Sequence, residues 1–104
     1  MKTASFAWDG KGAEIEPKRV LLHDSPYFKY LCFNLAPGQQ IPIHSHPAEG
    51  QVALTVVRGE GEFLTKDGTI PAKAGEVMIS DIEEPHGIRA STQLQVLVTI
   101  APPI

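Results

Sequence analysis

Apolar positions in this chain come in short runs separated by turn residues, and they follow a period of two. Tyr27–Leu35 (YFKYLCFNL) is rich in aromatic residues and apolar on both faces, Val52–Arg58 (VALTVVR) is β-branched, and Leu94–Ile100 is of the same kind. Side chains two apart on a strand leave the same face. The spacing predicts nine strands: Arg19–His23, Tyr27–Leu35, Gln40–His46, Val52–Arg58, Glu62–Lys66, Thr69–Ala72, Glu76–Ser80, His86–Ala90 and Leu94–Ile100. Turn clusters punctuate them at Asp24-Ser25-Pro26, Pro37-Gly38, Gly59-Glu60-Gly61 and Lys73-Ala74-Gly75. Asp67-Gly68 is the strongest hairpin signal. No segment keeps helical periodicity for the ten or so residues a helix needs. The fold class is therefore all-β, a sandwich or barrel in one domain. Residues 18–104 form the barrel, and residues 1–17 an arm packing on it or on a partner subunit.

Two faces need separate accounting. Pro42 removes a ladder donor, so Gln40–His46 should lie at a sheet edge or carry a bulge. If His44 and His46 point inward, strict alternation turns Ile41 and Ile43 outward. Val52–Val57 is apolar on both faces too. A barrel wall facing water alternates more cleanly, so a second sheet or a second subunit should cover it. A homodimer is the economical expectation.

Composition narrows the class. The 104 residues are 42% hydrophobic and 20% charged, those of an ordinary globular chain. Net charge is −3 and no Lys/Arg cluster marks a phosphate-binding face, which argues against nucleic acid as a partner. The longest apolar runs are strand-length, far short of a membrane-spanning helix. Cys32 is the single cysteine, which fits a reducing, cytoplasmic compartment.

Candidate chemistry centres on Gly38–Gln51, GQQIPIHSHPAEGQ. His44 and His46, two apart in an extended run, leave one face roughly 6.5–7 Å apart. Imidazoles so placed can converge on one cation, with metal–nitrogen bonds of about 2.0–2.1 Å. His86, just after Pro85 in another predicted strand, supplies a third. Ile88 shares its face and should line the pocket, whereas Arg89 should point away.

These residues resemble the cupin family. Gly38, five residues, His44-Ser45-His46, a short gap and Gly59 are similar to the first cupin motif. Gly75 followed by Pro85-His86 is similar to the second, with DGTIPAKAGEVMI as the hairpin between. The resemblance covers roughly Leu35–Ala101. It implies a small jelly-roll β-barrel, commonly dimeric, holding one divalent metal. Its ligands would be His44, His46, His86 and a carboxylate shortly after the histidine pair. Here that place falls at Gly50 or Gln51, with Glu49 just before it, so Gln51, Glu49 or water completes the set.

Three neutral imidazoles leave open positions, the mark of a catalytic site. They do not choose among iron, manganese, zinc, nickel and copper. Losing the carboxylate leaves the site more cationic and suited to a chelating anion. The resemblance then implies an oxygenase acting on a small organic molecule, as three-histidine iron cupins act on thiols or β-diketones. A non-enzymatic binding or sensor module on the same barrel is the alternative. An isomerase or epimerase would need a general base, for which Glu49 is the one candidate outside the histidines.

Overall fold

A computed structural model describes residues 1–8 and 16–104. The part of the expected arm at 9–15 lies outside the described residues. Among the described residues nine strands run in order: β1 (Lys18–Asp24), β2 (Lys29–Leu35), β3 (Gln40–His44), β4 (Gln51–Arg58), β5 (Glu60–Thr65), β6 (Gly68–Lys73), β7 (Val77–Asp81), β8 (His86–Ala90) and β9 (Leu94–Ala101). They form two antiparallel sheets, ordered β1-β2-β9-β4-β7 and β3-β8-β5-β6.

The predicted strands match these closely, and each boundary shift has a local cause. Tyr27 and Phe28 belong to the turn rather than to β2: the Ser25 hydroxyl accepts from both of their amides, at 3.2 and 3.3 Å. The β4–β5 reversal narrows to Gly59 alone, at φ +85°, where a Cβ would collide with the Gln93 carbonyl. Asp67-Gly68 closes β5 onto β6 with Thr65 opposite Gly68.

Alternation places one apolar set between the sheets. Leu35, Val56, Ile88, Leu94 and Val96 are essentially fully buried there, with Phe63 packed among them. Each such side chain contributes roughly 1.5–3 kcal/mol on leaving water. Their neighbours face outward. On the far side of β2 and β9, Asn34 and Gln95 are nonetheless buried, because the arm crosses there. Both donate to the Ala7 carbonyl, at 3.3 and 3.1 Å, and Gln95 also donates to the Asn34 amide oxygen at 3.1 Å. Trp8 lies 5.8 Å from the Arg58 guanidinium. Cys32 shares this covered face, and burial pushes its thiol pKa up, partly offset by a hydrogen bond with Gln95.

The outer face of β4 and β7 is different. Val77 and Ile79 are exposed there, opposite Thr55 and Ala53 of β4.

Candidate metal centre

The site is built where β3 departs from regular pairing. β3 is an edge strand, as Pro42 predicts, and its register with β8 shifts between Ile41 and His44. The shift corrects the expected facing of the isoleucines. Ile41 and His44 both border the interior cavity, whereas Ile43 is exposed. An extra residue in a strand reverses the parity of the residues after it. Gly87 makes room for it: a Cβ there would stand 2.6 Å from the Ile41 carbonyl oxygen and 2.9 Å from the Ile43 nitrogen. The strand ends at His44, so His46 is carried by the adjoining loop, its amide donating to the Ile82 carbonyl at 3.1 Å.

The bulge sets His44 directly opposite His86. Their ring centroids lie 4.6 Å apart, and those of His44 and His46 lie 5.5 Å apart. His86 is buried, while His44 and His46 are exposed. Two rings are tied to the backbone: His44 Nδ1 lies 2.8 Å from the Pro42 carbonyl, and His86 Nδ1 lies 2.6 Å from that of Glu84. A carbonyl only accepts, so each Nδ1 carries the proton. In the neutral ring Nε2 is then the lone pair left for a ligand bond. Burial pushes the His86 pKa down and the nearby His44 and His46 add to the effect, while the Glu84 carbonyl pulls the other way. The net direction favours neutral imidazole, the form that ligates metals.

These residues line a cavity of about 120 Å³. Its other walls are apolar, among them Leu31, Phe33, Val52, Leu54, Val98 and Ile100. Ile88 faces inward as expected but is packed in the core, and Arg89 points away, donating to Glu62 at 2.8 Å.

Gln51 is not brought to the histidines. On β4 the inward residues are Val52, Leu54 and Val56, which leaves Gln51 out of phase. It lies in a separate cleft with Glu49, Asp81 and Glu83, and its amide donates to Asp81 at 3.4 Å. The interior place on this strand falls to Val52. The signal was present in the alternation, since Val52, Leu54 and Val56 form the unbroken apolar set. Among the described residues no group of three or more His, Cys, Asp or Glu side chains is placed to hold a metal ion as the structure stands. By donor type alone, imidazoles suit a divalent transition metal, and three of them stand near one another beside an apolar cavity, two with their tautomers fixed.

Sequence reasoning passed over two residues at this site. A wider cleft of about 450 Å³ shares Leu31, Phe33, His44 and His46 with the cavity, and Arg19 and Lys29 line it too. Both precede the histidine motifs in the chain: Lys29 shares the face of Leu31 and Phe33 on β2, and the β1–β2 pairing brings Arg19 beside Phe33.

Comparisons with known proteins agree with this architecture. Residues 31–100 match the Cupin domain family. An oxalate-binding protein of Thermotoga maritima is 32% identical over 96 residues, spanning 88% of this chain and 78% of that protein. An RmlC-like cupin protein of Desulfovibrio desulfuricans has a solved structure that is 42% identical, with a TM-score of 0.93, over 100% of this chain and 99% of that one. A double-stranded β-helix protein of Klebsiella pneumoniae is 26% identical, with a TM-score of 0.84, over 97% and 91%.

Proposed function

This chain belongs to the cupin family, and on that premise we propose that His44, His46 and His86 hold one divalent transition metal that binds a small chelating organic anion. The observation that carries the reading is the arrangement of three imidazoles, two with their Nδ1 protons tied to carbonyls, in a cavity with otherwise apolar walls. When bound, the metal supplies Lewis acidity and, if it is iron, redox chemistry with dioxygen. The chain's own residues do the rest. Two backbone carbonyls orient the rings, burial biases His86 toward its neutral form, and Phe33, Val52 and Leu54 give the cavity apolar walls.

Cavity size bounds the ligand. A cavity of about 150 Å³ takes benzene, so about 120 Å³ suits a chelating head of roughly six heavy atoms. The oxalate-binding relative supports a small dicarboxylate of that size. Among the described residues no Asp or Glu side chain lines the cavity, so the isomerase or epimerase reading lacks an acidic side chain as its protein base there. Glu49 lies in the other cleft. An oxygenase, whose chemistry rests on the metal, needs no such base and is the enzymatic form of the proposal; a binding module is the non-enzymatic form.

Elemental analysis of protein purified without an affinity tag should find one metal per chain. Calorimetry with oxalate then tests anion binding, and oxygen uptake on iron-loaded protein with thiols and β-diketones tests turnover. Absence of stoichiometric metal under any loading condition overturns the reading. Binding without oxygen uptake selects the module.

The proposal extends to a homodimer in a reducing, cytoplasmic compartment. Exposed Val77 and Ile79 beside Ala53 and Thr55 support a covered β4–β7 face, which takes the place of the Ile41 face. Ile79→Asp should convert dimer to monomer by light scattering, and a native protein that is already monomeric at micromolar concentration refutes it. Buried Cys32, a free thiol, supports the compartment.

A further inference from the structure

The wide cleft outside the histidines has a charge pattern that the metal proposal leaves unused. It adjoins the inner cavity, sharing Leu31, Phe33, His44, His46, Ile100 and Ile104 with it as lining. Among the described residues, the Lys and Arg side chains lining it are Arg19 and Lys29. The chain as a whole carries a net charge of −3, yet among the described residues no acidic side chain borders this cleft. Glu49, Asp81 and Glu83 border a different one.

The two cations face the cleft from the same side of the sheet. Arg19 stands opposite Phe33 across β1–β2, and Lys29 lies two positions before Leu31 on β2, in phase with both cavity residues. Lys29 Nζ donates to the Ile104 main-chain oxygen at 3.1 Å. The Arg89–Glu62 ion pair lies on the other sheet. Between the cations and the histidines the walls are apolar.

Resting on the metal reading above, we infer that Arg19 and Lys29 form a subsite for a second anionic group of the ligand. The ligand is then an elongated organic dianion, with a chelating head at the histidines, an apolar body against Leu31, Phe33 and Ile100, and a carboxylate tail between Arg19 and Lys29. The inner cavity selects the head by size and the outer cleft selects the tail by charge. A guanidinium and an ammonium on one rim suit a carboxylate, which accepts hydrogen bonds from both. Because the rim is open to solvent, its contribution is that of screened ion pairs: about tenfold in affinity from the two together.

The test uses zinc-loaded protein and two probes that differ only at the tail, α-ketoadipate and α-ketocaproate, titrated by calorimetry at low salt. Native protein should bind α-ketoadipate about tenfold more tightly. In an Arg19→Gln, Lys29→Gln double variant the advantage should vanish, with α-ketocaproate affinity and zinc stoichiometry unchanged. Both side chains are at the surface rim, so the fold should persist, and circular dichroism confirms it. Equal affinity for the two probes in native protein, or an advantage that survives in the double variant, overturns the subsite. If the protein takes up neither zinc nor any other divalent transition metal, the metal reading falls and hexanoate titrated into metal-free protein decides this proposal separately. Amide shifts at Arg19, Lys29 and Phe33 that are absent in the double variant support it, and their absence in native protein overturns it.

Discussion

The two sides of β4 carry opposite chemistries one residue apart. Val52 faces an apolar cavity ringed by three imidazoles, while Gln51 faces a cleft with Glu49, Asp81 and Glu83. In the first space desolvation presses on a titratable group, as the lowered pKa of His86 shows. In the second, carboxylates and an amide are solvated. A donor next in sequence to a cavity residue is thus no ligand if the pleat turns it to the other face. Distance in sequence places a donor near a site; strand parity decides whether it enters.

The largest effect should come from the cavity side. His86→Ala removes the buried imidazole and should weaken metal binding by at least about 100-fold, read by competition with a chromogenic chelator. Retention of native affinity would show that His44 and His46 suffice.

Moving a carboxylate across the strand sharpens the contrast. Val52→Glu puts an anion on the inward face and should tighten metal binding about tenfold, because a carboxylate oxygen can ligate at about 2.0–2.2 Å. The cost is stability lost from the apolar wall. Gln51→Glu, one residue away, should leave metal affinity unchanged, reversing what motif spacing alone suggests. Equal tightening by both would mean that β4 re-registers on metal binding.

Acidity should separate the two spaces more gently. The folded pKa of His86 lies below its unfolded value, so the unfolded chain takes up that proton first. Stability of the metal-free protein is therefore full above about pH 6.5 and declines as pH falls toward the lowered folded value. Chemical denaturation across that range should show the decline, and His86→Gln should flatten it. Metal affinity should fall over the same range, since ligating rings must be neutral.

The smallest effect belongs to the outer cleft. Gln51→Ala removes a solvated 3.4 Å contact with Asp81 and should change stability by less than about 0.5 kcal/mol. A larger loss would assign that cleft a structural role.

Much of this was legible along the chain because strands advertise themselves locally. Period-two runs and turn residues such as Asp67-Gly68 place the nine strands, and Pro42 predicts an edge or a bulge without reference to any partner. The histidine motifs and their spacing likewise mark the cupin family before any contact is known. What the tertiary structure decided depends on pairing across distant strands. The β3–β8 register shift, accommodated by Gly87, turned Ile41 inward beside the histidines, a one-residue parity change that only the partner strand's backbone can fix. The burial of Val52 against the opposite sheet sent Gln51 outward. β1–β2 pairing carried Arg19 beside Phe33 at the rim of a site whose histidines lie well downstream in sequence. Local residue preferences select strands and turns, but which face a side chain occupies is set by what lies across the sheet.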